Sequence, residues 1–142
     1  MPSDTFSHSV TVQATPESID AALQRPDTWR GIGPIDEIWD ATHEGASLTG
    51  FKWRARAAGR PWEGTAERLA HTASGAIAFG LDSSEIAGSI TVVLEPNGAT
   101  TGVTVRLSAQ SKGFLASMFW GVVADALRRG LPSQVEAFGE QF

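Results

Sequence analysis

The sequence predicts an α+β fold: a curved seven-stranded antiparallel sheet wrapped around a long C-terminal helix, with one or two short helices after the first strand. Three observations carry this expectation. From Ile35 to Leu107 apolar and polar residues alternate in short runs separated by turn residues. From Phe114 onward the apolar spacing changes to three and four. A helix start signal at Thr15-Pro16-Glu17 follows the first alternating run.

Taken in order, Phe6, His8, Val10, Val12 and Ala14 alternate with small polar residues and read as the first strand. Thr15 then supplies an N-cap, Pro16 suits the first helical position, and Glu17 is favoured by the helix dipole. Ile19, Ala22 and Leu23 form the apolar stripe of that helix, and Pro26 is expected to stop it. Asp27 to Arg30 can add a short second helix before the breaker cluster Gly31–Pro34. Ile35 to Ala41 reads as the second strand and His43 to Ala46 as its turn.

Gly50 to Glu67 holds two patterns at once. Lys52, Arg54 and Arg56 share one register, while Phe51, Trp53, Ala55 and Ala57 share the other. Beyond a turn at Gly59, Glu63, Thr65 and Glu67 alternate with Trp62, Gly64 and Ala66. Strand faces alternate with period two, so a tight hairpin sets the Lys/Arg ladder against the glutamates on one face. The other face gathers Phe51, Trp53 and Trp62 among Ala and Gly. It is apolar yet thinly furnished, as one wall of a cavity would be.

Ile77, Phe79 and Leu81 mark a fifth strand, Ile90, Val92 and Leu94 a sixth, and Val103, Val105 and Leu107 a seventh. Pro96-Asn97-Gly98 is the turn between the last two. Phe114, Leu115, Met118, Phe119, Val122, Val123, Ala126 and Leu127 then give a long amphipathic helix, continued by Leu131, Val135 and Phe138. Pro132 is expected to kink or interrupt it near Arg128–Leu131. A sheet with one solvated face must cover the other, and this helix is the only long element left to do so. The arrangement is a helix grip.

The 142 residues suit one domain, 1–142. There is no cysteine, so disulfides, thiolate metal sites and a Cys nucleophile are excluded. The N-terminus carries no signal-peptide pattern and no apolar run reaches a membrane span, so a soluble, cytoplasmic protein is expected. A net charge of −5 argues against a nucleic-acid partner. His43 and His71 lack metal-ligand spacing, and no phosphate-cradling, dinucleotide or nucleophile-elbow motif occurs, so neither metal nor cofactor is expected.

Several short segments resemble the START-like (SRPBCC) superfamily, in its branch of polyketide cyclase/dehydrase and lipid-transport proteins. They are Thr15-Pro16-Glu17, Pro26-Asp27-Thr28-Trp29, Gly50-Phe51-Lys52-Trp53-Arg54, Trp62-Glu63-Gly64-Thr65, Leu94-Glu95-Pro96 and Lys112-Gly113-Phe114-Leu115. All mark the fold and none is a catalytic motif. The resemblance implies a small hydrophobic or amphipathic ligand held between sheet and helix, such as a lipid, an isoprenoid or an aromatic polyketide-like compound. Some similar proteins catalyse cyclisation, dehydration or hydrolysis there. Those that form aromatic rings often use Tyr and Arg, and this chain contains no Tyr.

By strand parity the cavity-facing residues are Trp39, Phe51, Trp53, Trp62, Phe79 and Ile90, joined from the helix by Met118, Phe119 and Val122. Ala41, Ala55, Gly64, Ala66 and Ala126 leave volume between them. Glu37 shares a register with Ile35 and Trp39; facing inward, it would be a desolvated carboxylate able to act as acid or base, and facing outward it is merely solvated. His8 shares a face with Phe6 and Val10. An enzyme of this fold would use Glu37 and His8 as its acid–base pair. A third reading is a protein-interaction module docking through the C-terminal helix at Phe119 or Trp120.

Overall fold

A computed structural model describes residues 2–32, 35–57, 59–70 and 75–142. His71, and Gly33 and Pro34 of the breaker cluster, lie outside the described residues. The order is β1 (Ser3–Val12), α1 (Pro16–Leu23), a 3-10 turn (Pro26–Trp29), then β2 (Ile35–Glu44), β3 (Ser47–Ala57), β4 (Arg60–Leu69), β5 (Ala76–Ser83), β6 (Ile86–Asn97) and β7 (Thr100–Ser111). Two helices close the chain, α2 (Phe114–Met118) and α3 (Trp120–Gly139). The seven strands form one curved antiparallel sheet in the order β1-β7-β6-β5-β4-β3-β2. The α+β helix grip is therefore the fold of this chain.

Local chemistry accounts for most boundaries. The Thr15 hydroxyl accepts from the Ser18 amide at 3.2 Å, and Ile19, Ala22 and Leu23 are buried. Pro26 both ends α1 and opens the 3-10 turn, which buries Trp29 and lets its indole donate to the Leu23 carbonyl at 2.8 Å. The β3–β4 register pairs Phe51 with Ala66, Trp53 with Gly64 and Arg54 with Glu63, so odd positions do face even ones. Gly59 at the turn has φ of 70°, and Gly98 in the β6–β7 turn has φ of 65°.

Two expectations need correction. α3 runs unbroken through Pro132, and the helical break falls instead at Phe119, whose φ of −107° and ψ of 21° separate α2 from α3. Beyond that break Trp120 turns inward, and its indole donates to the Asp4 carboxylate at 2.8 Å. The cations of the hairpin are also answered differently. Arg54 pairs with Glu37 at 2.6 Å, Arg56 with Asp36 at 3.4 Å and Lys52 with Asp40 at 3.3 Å. Among the described residues no ion pair joins Glu63 or Glu67 to this ladder. The acids come from β2, because an edge strand can bend its side chains over its neighbour.

The core lies between the concave sheet face and α3, which buries Trp120, Val123, Ala124, Leu127, Leu131, Val135 and Phe138 against it. Among the described residues no helix is long and apolar enough to cross a membrane.

Candidate functional site

β2 decides which residues reach the concave face. Ile35 opposes Ala55, but Glu37 opposes Arg54 and Ile38 opposes Trp53, so one extra residue enters between Ile35 and Glu37. The bulge inverts the parity of the strand. Ile38 packs against the core, whereas Glu37 and Trp39 turn to the outer side. A second irregularity follows at Asp40, which adopts φ of 49°. Trp39 is consequently 37% exposed, and the inward position expected for it is wrong. Glu37 is the solvated alternative, half-exposed and paired with Arg54.

Phe51, Trp53, Trp62, Phe79 and Ile90 are all buried on the concave side. Phe79 meets Phe51 at 5.1 Å and Trp29 at 5.0 Å between ring centroids, closing one half of the sheet with a solid aromatic cluster. In the other half Trp53 and Trp62 line an apolar cavity of about 50 Å³. Its remaining walls include Ile35, Ala55, Leu81, Ile86, Leu107, Ala109 and Leu127. Gly64, expected to leave volume, leaves none: a Cβ there would collide with the Asp82 carbonyl and lie 2.6 Å from Trp53 Cζ2. The Trp53 ring occupies the space Gly64 provides, and its indole donates to the Thr65 carbonyl at 2.9 Å. Ala55 does line the cavity, while Ala41 is exposed.

The helix contributes differently from expectation. Met118, Phe119 and Val122 are exposed, and the cavity roof is Leu127. The wide apolar stripe contained two faces about one residue apart, and the break at Phe119 selects the one carrying Val123 and Leu127. On the far side of Trp62 lies a surface groove of about 360 Å³, lined by Arg60, Pro61, Trp62, Glu63, Ser83, Ser84, Glu85 and Leu115. Trp62 thus lines both cavity and groove. Glu85 fixes the groove's rim, accepting from the Ala116 amide at 2.9 Å where Gly113 leaves room for its carboxylate.

The two acid–base candidates are not brought together. His8 stands on β1 and faces Glu136 of α3 at 3.5 Å, while Glu37 stands on β2 at the opposite edge of the sheet. Arg68, which the sequence did not single out, occupies the concave face instead. Its guanidinium lies 5.7 Å from the Phe79 centroid and donates to the Leu48 carbonyl at 3.1 Å and to Gln24 Oε1 at 3.4 Å. Among the described residues no carboxylate reaches it within 4.0 Å. Its parity with Trp62, Gly64 and Ala66 was the available signal. Among the described residues no cluster of three His, Asp or Glu side chains could hold a metal.

The model of the polyketide cyclase/dehydrase and lipid transport family matches residues 3–139. No protein of curated function matches the sequence. Solved structures share its fold. A Thermus thermophilus protein is 16% identical with a TM-score of 0.77, covering 97% of this chain and 96% of its own. A START superfamily protein from Mycobacterium smegmatis is 18% identical with a TM-score of 0.64, covering 94% and 97%. Zhui aromatase/cyclase from Streptomyces sp. R1128 is 18% identical with a TM-score of 0.63, covering 99% and 86%.

Proposed function

Because this chain belongs to the polyketide cyclase/dehydrase and lipid transport family, we propose that it binds and carries a small hydrophobic or amphipathic ligand between the concave sheet face and α3. A lipid, an isoprenoid or an aromatic polyketide-like compound fits this description. The observation that carries the reading is the apolar cavity between Trp53, Trp62 and Leu127, with Ala55, Ala87, Gly88 and Ala109 among its lining residues. At about 50 Å³ it is smaller than the ~300–1,000 Å³ of ordinary ligand sites. Binding therefore requires a side-chain movement, and Trp62 is the side chain whose rotation joins the cavity to the outer groove. Apolar burial supplies the affinity at roughly 25 cal/mol per Å². Arg68, two β4 rungs from Gly64, offers a polar end an anchor beyond the aromatic cluster. With Glu37 and His8 at opposite sheet edges, binding is favoured over acid–base catalysis. The cysteine-free composition supports a cytoplasmic setting.

The test is a panel of a fatty acid, an isoprenoid alcohol and a polyphenol, read by native mass spectrometry and by amide and indole shifts. Saturable shifts at Trp53 and Trp62 are expected. Ala55→Val, which fills the cavity without adding a polar group, is expected to weaken binding at least about tenfold. Binding that leaves both indoles unmoved, or that survives Ala55→Val unchanged, would falsify the cavity as the site.

A further inference from the structure

We propose that the exposed face of α2 and the first turn of α3 joins two copies of this chain, the Phe114 of each seated in the groove above Trp62 of the other. Phe114 is 76% exposed, Met118 55% and Val122 57%, and Leu115 and Phe119 extend the same patch. Phe114 and Met118 stand four apart on α2, and Val122 lies on the first turn of α3. Gly121 precedes Val122 with open space where a Cβ would stand, so a partner can approach the backbone closely.

Area selects the occupant. Five such side chains present on the order of 500 Å² of apolar surface, at the upper end of what monomers commonly expose. A symmetric contact buries the patch twice, about 1,000 Å² in total, the lower limit for a biological interface and the size of a weak, reversible one. Shape agrees with this. The most protruding apolar side chain, Phe114, stands next to a groove of about 360 Å³, and Leu115 belongs to both patch and groove. A knob beside a socket on one surface is self-complementary, because a two-fold axis turns it into two reciprocal insertions. Arg60 on the groove rim already lies 5.6 Å from the Phe119 centroid and can stack on an incoming phenyl ring.

Charge argues against a lipid surface as the occupant. Lys112 beside the patch is held by Asp82 at 2.6 Å, and Arg129 by Asp125 at 3.0 Å. Among the described residues Arg60 is the one groove-lining cation that no carboxylate holds, and with a net charge of −5 a single such cation gives this face little attraction to anionic lipid.

Sedimentation of the full chain from about 1 µM to about 1 mM, the range in which an interface of this size reports itself, is expected to show reversible dimerisation. Phe114→Glu should weaken it at least about tenfold. Thermal stability should stay unchanged, because Phe114 makes little contact within its own chain. A wild-type protein that stays monomeric throughout overturns the proposal, as does a Phe114→Glu variant that dimerises equally well. A monomer that instead co-sediments with phosphatidylcholine vesicles through Phe114 assigns the face to membrane and likewise overturns it.

Discussion

On the convex face of the β3–β4 hairpin Arg54 meets two acids, Glu37 at 2.6 Å and Asp36 at 3.7 Å. On the concave face of the same hairpin Arg68 meets two neutral oxygens and the Phe79 ring. Both guanidinium groups are partly withdrawn from solvent, and the other cations without a carboxylate among the described residues, Arg25, Arg30, Arg60 and Arg106, are exposed. Charge is thus balanced on one side of the hairpin and left open on the other. Arg54 is neutralised by β2, although Asp36 Oδ1 and Arg54 Nε are left without a hydrogen bond, so the pair is imperfect. Arg68 keeps its positive charge on the side of the sheet that faces α3. One face uses charge to hold an edge strand; the other holds a single cation among aromatic rings.

That contrast can be broken at four points. The largest effect is expected from Phe79→Ala, which removes the ring beneath Arg68 and between Phe51 and Trp29; thermal or urea denaturation should show a loss of about 3–5 kcal/mol. Gly64→Ala comes next, at about 1–3 kcal/mol, because the new methyl must displace the Asp82 carbonyl or the Trp53 ring. Arg68→Met preserves the stem over Phe79 but surrenders the hydrogen bonds to Leu48 and Gln24, and about 1–2 kcal/mol should be lost. The smallest effect, below about 1 kcal/mol, is expected for Arg54→Met, whose ion pairs are half in solvent. If Arg54→Met destabilised the protein more than Arg68→Met, the contrast between the two faces would be reversed.

The hairpin was legible because its turn is tight: once Gly59 was placed, parity gave the β3–β4 register and the inward set Phe51, Trp53 and Trp62. Period two cannot announce a bulge, however. Trp39 was misplaced by the one residue inserted after Ile35, a change no composition signals, and the same insertion decides between the two orientations left open for Glu37. The C-terminal stripe failed for a different reason. The eleven apolar residues from Phe114 to Leu127 are enough for two faces, and only the break at Phe119 with the Trp120–Asp4 bond chooses between them. Pro132 misled in the opposite direction, since packing of Leu131 and Val135 on either side holds the helix through it. Arg68 was overlooked because its neighbours in sequence, Glu67 and Leu69, face outward and give it the look of a surface residue.

The sheet order has a consequence for the time course of folding. Among the described residues β1 pairs only with β7, Ser3 opposite Gln110 and Val12 opposite Thr101, so the first strand of the sheet in chain order is partnered by its last. The five strands between them can zip through short turns, but this closure must span nearly the whole chain, and contacts so far apart in sequence slow the search. β1 therefore has no native sheet partner until residues near 111 are in place. The pairing of β1 with β7 is thus the step expected to be slowest in assembly, and α3, which packs on β1, needs that strand in place to complete its contacts.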